Sequence, residues 1–219
     1  MDFFNNLRTP AALIGGAALA NAFAMAKLPD DKRFDSWGWR FASKTYTMLM
    51  LFAFGLEFMT VFMATAAGVR VTGGGYNPMA DTPVALLVRE FELEYVTIRS
   101  QFFTGVLSFL LAQAIRVRKE LVLVSPALAR TAFLFLLFAV LNVLSFFGSQ
   151  LVYYDGYFAL MRSYFKLNGA RLNPTNIFTD PAAAIASLFL LGAFASLGQV
   201  VVEKTLAVFP GKTNSEATK

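Results

Sequence analysis

TYTMLMLFAFGLEFMTVFMATAAG, residues 45–68, carries a single charged side chain, Glu57, in 24 residues. A hydrocarbon core roughly 30 Å thick is crossed by about 20 apolar residues of helix, so this stretch is long enough to span a bilayer. Residues 95–115, 131–154 and 181–202 repeat the pattern with almost no charge. A soluble domain of 219 residues has no core deep enough for four such segments. The expected fold is therefore all-α, a polytopic membrane helix bundle with four transmembrane helices. Residues 1–209 form its single domain, and 210–219 form a short, polar, disordered tail.

Composition agrees. Hydrophobic residues make up 57% of the chain, against about 45–50% in soluble domains. Charged residues make up 15%, against about 25%. The formal charge of +5 is scattered over short loops rather than gathered on one patch. Its expected partner is lipid headgroup phosphate and not nucleic acid. The chain has no cysteine and no histidine, which removes disulfides, thiolate chemistry, the commonest metal and haem ligand and the usual neutral-pH acid–base catalyst.

Under a four-span arrangement, thirteen of the 19 Lys and Arg residues fall on the side holding the N-terminal region, the 116–130 loop and the tail. The positive-inside bias makes that side cytoplasmic or its organellar equivalent. Residues 9–26 are also free of charge, but are largely Ala and Gly. Three alternatives stand for them: a fifth span, a surface or re-entrant helix, or a secretory signal ending in Ala24-Met25-Ala26. If the segment spans, its N-terminus lies outside. Ala12, Gly16, Ala20 and Ala24 form a small-residue stripe that would let another helix approach closely, as Gly192 and Ser196 would in the last span.

The connecting segments are read in turn. Trp37, Trp39, Phe41 and Tyr46 suit the headgroup level. Thr72 to Pro78 is a breaker-rich turn, and its three glycines, with no following helix and lysine, do not make a phosphate loop. From Pro83 the helical pattern runs without a breaker to Glu120, with Glu90, Glu92 and Glu94 as a solvated acidic start or, less simply, a cation site. Over 153–166, Tyr154, Tyr157, Phe158, Met161 and Phe165 recur at helical steps. This fits an amphipathic helix lying on the membrane or one packed over the bundle as a lid.

Glu57 is the leading functional candidate, because a carboxylate at mid-membrane costs several kcal/mol on insertion scales unless protonated or paired (about 2.5–3.5 for an acidic residue at the helix centre). Its helical face continues through Ala53, Thr60, Ala64 and Gly68, with Phe52, Met59 and Phe62 opposite. Glu57 should therefore point into the bundle and the aromatic rings toward lipid. The other spans carry polar stripes as well: Thr97, Gln101, Thr104 and Ser108; Asn142, Ser145 and Ser149; Gly192, Ser196 and Gln199. Alternating directions bring Glu57, Gln101, Thr104 and Asn142 to similar depths, where they are expected to share one hydrogen-bonded cluster. Arg99 lies about 200° around the helix from Gln101 and is expected to snorkel outward.

At residues 91–110, FELEYVTIRSQFFTGVLSFL, an acidic aromatic start runs directly into a span with a Thr-Gly break. In this, in the Ala/Gly-rich N-terminal segment and in the spacing of spans, the chain resembles four-span membrane proteins of diatoms and related photosynthetic algae. The resemblance implies a four-helix membrane unit and a plastid or other organellar setting, but no activity.

These features point to a non-catalytic accessory or structural subunit of a larger membrane complex, in contact with lipid and other membrane subunits, with lipid or pigment as the bound small molecule. The alternative is a small homo-oligomeric ion or proton channel or transporter that uses Glu57. A metal-dependent enzyme built on Glu90, Glu92 and Glu94 comes third.

Overall fold

The computed structural model describes residues 2–25, 31, 34, 36–74, 76, 79–149, 151, 153–171 and part of 182–199. Its helices are α1 (Asp2–Asn21), α2 (Trp37–Gly73), α3 (Pro83–Glu90), α4 (Glu92–Val122), α5 (Pro126–Ser149) and α6 (Tyr157–Arg171). The described positions between 182 and 199 are helical too. The rest of the expected fourth span, and the tail at 210–219, lie outside the described residues. No strand occurs among the described residues. Two compact units are present, Met1–Phe165 and Lys166–Lys219; α1 to α5 and the start of α6 belong to the first.

Three helices, α2, α4 and α5, are long and apolar enough to cross a membrane, the mark of an integral membrane protein. At about 1.5 Å per residue, the 37 residues of α2 and the 31 of α4 outrun a hydrocarbon core of roughly 30 Å.

The side-chain period of the bundle is 3.5. Along α2 the buried positions are Ser43, Tyr46, Met50, Ala53, Glu57, Thr60, Ala64 and Ala67, stepping alternately by three and four. This is the spacing that keeps one seam facing a neighbour in a left-handed supercoil. It ends the Glu57 face on Ala67, where steps of four had pointed to Gly68. Phe52, Met59 and Phe62 are exposed on the opposite side, as the periodicity predicts. On the α4 side Phe91, Ile98, Gly105, Ala112 and Lys119 are buried at seven-residue intervals. The two helices run antiparallel, with Arg70 on Glu94 at 2.6 Å and Arg118 over Trp39 at the far end.

Helix α1 lies antiparallel to α2, from Phe4 beside Phe91 to Asn21 beside Tyr46. It buries Phe4, Ala11, Gly15 and Ala18, with Ala22 and Met25 buried just beyond its end. The expected packing stripe is thereby corrected: Ala12, Gly16, Ala20 and Ala24 are exposed. An Ala-rich helix offers two small faces of nearly equal merit. The one that also carries Phe4 and Met25 inward removes more apolar area from solvent.

The last carbonyls of α1 are served by the turn that follows, where the Ala22 and Ala24 amides donate to the Leu19 and Asn21 carbonyls, and by α2. Tyr46 donates its hydroxyl to the Asn21 carbonyl at 2.7 Å, and Ser43 donates to the Met25 carbonyl. The Asn21 side chain donates to the Ala17 carbonyl and accepts from Arg116 of α4 at 2.8 Å. Tyr46 is therefore a buried cap and not part of the interfacial aromatic cluster. Trp37 and Phe41 do stack in the open, with ring centroids 5.3 Å apart.

The helix expected to run unbroken over 83–120 is interrupted at Phe91 (φ −132°, ψ 33°). No Gly or Pro causes this. The Phe91 ring is buried among Phe4, Tyr76 and the Arg70 guanidinium, and tertiary packing overrides local propensity. Helix α5 ends at Ser149, short of the expected Tyr154, and buries only Ala129 and Val140. It meets α4 through a stacked Phe103–Phe147 pair, centroids 3.6 Å apart. Helix α6 divides its aromatic stripe: Tyr157 and Tyr164 turn toward α4, while Phe158 and Phe165 face outward. This is packing over the bundle, rather than one apolar face laid on the bilayer.

Replacing Tyr46 with Phe keeps the ring but removes one of the two donors on the Asn21 carbonyl, which retains the Ala24 amide, and buries the helix end with one bond fewer. It should cost about 1–2 kcal/mol in reversible unfolding from detergent micelles, whereas Trp37→Leu should change little.

Candidate functional site

Glu57 is wholly buried, at 0% exposure. The heptad seam turns it inward from the middle of α2, and two glycines make room for it. A Cβ added at Gly105 of α4 would lie 2.5 Å from Glu57 Oε1 and 2.9 Å from Cδ. One added at Gly15 of α1 would lie 3.2 Å from Glu57 Cβ. The side chain thus fills a slot cut into its neighbours by the absence of their side chains. Neither carboxyl oxygen has a hydrogen-bond partner among the described residues. A carboxylate ionised there would be buried without a counter-charge, the arrangement that costs most.

The expected four-residue cluster does not form. Gln101 is buried one turn from Gly105 on α4, but its Nε2 donates to the Tyr164 hydroxyl at 3.3 Å, and its Oε1 has no partner. Thr104 donates to the Ser100 carbonyl at 2.7 Å and lies 2.8 Å from the Tyr157 hydroxyl. A hydroxyl has one proton, so with that proton on the carbonyl Thr104 accepts from Tyr157. Ser108 donates to the Thr104 carbonyl at 2.8 Å. The polar face of α4 is therefore closed by two tyrosines of α6, and not by Glu57.

Asn142 is on the opposite side of the molecule's α5 contact, exposed in a shallow groove of about 350 Å³ lined by Phe135, Phe138, Ala139, Val143 and Phe146. It makes no hydrogen bond to any described residue. In the second unit Gly192 and Ser196 are exposed, and Ser196 donates to the Gly192 carbonyl. The acidic start of α4 is likewise dispersed, with Glu94 paired to Arg70 and Glu90 to Arg89. No group of three acidic side chains converges as a metal site among the described residues. Arg99 donates to the Tyr95 hydroxyl and lies over the Phe147 ring, on the α5 side of α4 and away from Glu57.

Gly15, Gly105, Tyr157 and Tyr164 are the site residues that the sequence did not single out as such. Gly105 had a readable signal: it falls on the same heptad position as Phe91, Ile98 and Ala112, where a glycine must face something large. No protein-family model, curated protein or solved structure matches the chain, so chemistry here rests on the geometry.

Gly105→Ala should destabilise the protein by about 1–3 kcal/mol through overpacking. The same change in a Glu57→Ala background should cost little, because the obstructing carboxyl is gone. A four-variant thermal unfolding cycle measures this coupling; additive effects would mean that the slot does not hold Glu57.

Proposed function

We propose that this protein is a non-catalytic subunit of a larger membrane assembly and docks a neighbouring membrane helix on the outward face of α5. In this proposal it is a multi-pass protein in which α2, α4, α5 and the 181–202 segment span. Helix α1 crosses beside α2 and α4, with its N-terminus on the side of the 69–94 loop, in an organellar membrane, plastid included.

The observation that carries the reading is Asn142. Arg118 over Phe133 and Phe103 on Phe147 put Asn142 at about the level of residue 108 of α4, close to the depth of Glu57. Lipid satisfies the exposed Phe135, Phe138, Leu141 and Phe146. It offers nothing to a carboxamide, which has both donors and acceptors to satisfy. A second helix bringing a polar group to that depth would recover a hydrogen bond of roughly 0.6–2 kcal/mol, and Ala139, one turn away, leaves room for its backbone.

The unpartnered Glu57 favours a second reading, a homo-oligomeric ion or proton channel. The two separate cleanly. Under the subunit reading, Asn142→Leu shrinks the particle extracted in mild detergent and removes a stoichiometric partner chain from its mass spectrum, while Glu57→Gln leaves the particle intact. Under the channel reading, Asn142→Leu leaves it unchanged and Glu57→Gln abolishes flux into proteoliposomes.

A further inference from the structure

At the end of the bundle where α1 finishes, α2 begins and α4 runs out, a cleft of about 260 Å³ opens between α2, α4 and α5. It is lined by Ser36, Gly38, Trp39, Ala42, Ile115, Arg118 and Phe133. The Arg118 guanidinium stands between two aromatic rings, 5.6 Å from the Trp39 centroid and 5.2 Å from that of Phe133. Both distances are within cation–π range, and guanidinium is the side chain best matched to a phosphate oxygen pair. Arg118 has no carboxylate and no hydrogen-bond acceptor among the described residues, so none of them takes up its donors.

Two further groups face the same space. Ser36 is the N-cap of α2, yet its hydroxyl makes no capping bond. The Ser36 carbonyl accepts from Trp39 and Arg40, while the first amides of α2 precede any intrahelical acceptor, as at every helix start. The start of a 37-residue helix carries partial positive charge that favours an anion. An arginine beside two rings, a hydroxyl with no capping bond and a helix start thus converge on one cleft.

We propose that this cleft binds the headgroup phosphate of an anionic phospholipid. The phosphate would take the guanidinium, the Ser36 hydroxyl and the α2 amides, and an acyl chain would run down past Ala42, Ile115 and Phe133. Charge selects the class. The described lining contains one cation and no acidic side chain, so the ammonium of a zwitterionic head meets no partner among these residues and is repelled by Arg118. The position agrees: Arg116, Arg130, Arg40 and Lys44 lie at the same end, the one that the positive-inside bias turns toward the leaflet surface. Arg118 is thereby assigned a lipid-binding role that does not depend on what the assembly does.

The test is lipid retention by native mass spectrometry of the protein from nanodiscs of phosphatidylcholine mixed with phosphatidylglycerol. Wild type should retain phosphatidylglycerol preferentially. Arg118→Gln should weaken that retention by about tenfold or more, the worth of a charge-assisted bond. Arg118→Lys, which keeps the charge but loses the stacked fork, should fall between. Arg70→Gln at the opposite end should leave it unchanged and serve as the control for general charge loss. Unfolding temperatures identify any variant that fails to fold, and Trp39→Leu, which removes one ring and no charge, then replaces it as the test, with weakened retention expected. Equal retention of the two lipids by wild type, or equal losses from Arg118→Gln and Arg70→Gln, overturns the proposal. Displacement of the lipid by millimolar inorganic phosphate would also overturn it, by making the site one for a free anion.

Discussion

How near α1, α2 and α4 approach one another is set by the side chain of Glu57 and the two glycines that receive it. Hydrocarbon supplies no hydrophobic drive between helices, so association rests on contact and on interhelical polar groups. Contact is densest where backbones come closest. Around Glu57 the seam is built from Ala53, Ala64, Gly15, Ala18, Gly105 and Ala112, and a single large polar side chain interrupts it. A larger residue at 15 or 105 meets the Glu57 side chain, which must then shift or move the helices apart. Their register then fixes the ends, Arg70 against Glu94 on one side and Arg116 against Asn21 on the other.

Much of this was legible in the sequence where a helix has two unlike faces. Residues 45–68 place Ala, Thr and Glu on one side and Phe and Met on the other, and the buried seam of α2 follows that division. Legibility failed where the faces are alike. Helix α1 has small residues nearly all round, so Ala12, Gly16 and Ala20 looked as suited to packing as Ala11, Gly15 and Ala18. The choice was made by Phe4 and Met25, whose fit depends on distant partners such as Phe91. Helix α5 is apolar all round, which leaves no moment to phase it, and Asn142 was accordingly given an interior position that the structure assigns to the outer face.

A different failure appears at Phe91 and at the polar face of α4. No local signal breaks the helix at Phe91; the break reflects where its ring can be buried. Gln101 and Thr104 were rightly read as one face, but their partners are tyrosines some 53 and 63 residues away, beyond any local pattern. Level along the bundle follows from the alternating directions of the helices, whereas azimuth around each helix depends on neighbours. A polar cluster needs both, and Asn142 does not share the face.

The end of α1 carries a consequence for the order in which the molecule is made. Its terminal carbonyl has the Ala24 amide at once but gains its second donor from Tyr46, 25 residues downstream, and its terminal side chain meets Arg116, 95 residues downstream. A growing chain therefore delivers this helix first and the groups that finish it last. Until α4 has emerged, the nascent protein holds an incomplete helix end whose polar atoms must be kept wet or handed to the insertion machinery. First to be synthesised, α1 is among the last elements to reach its final state.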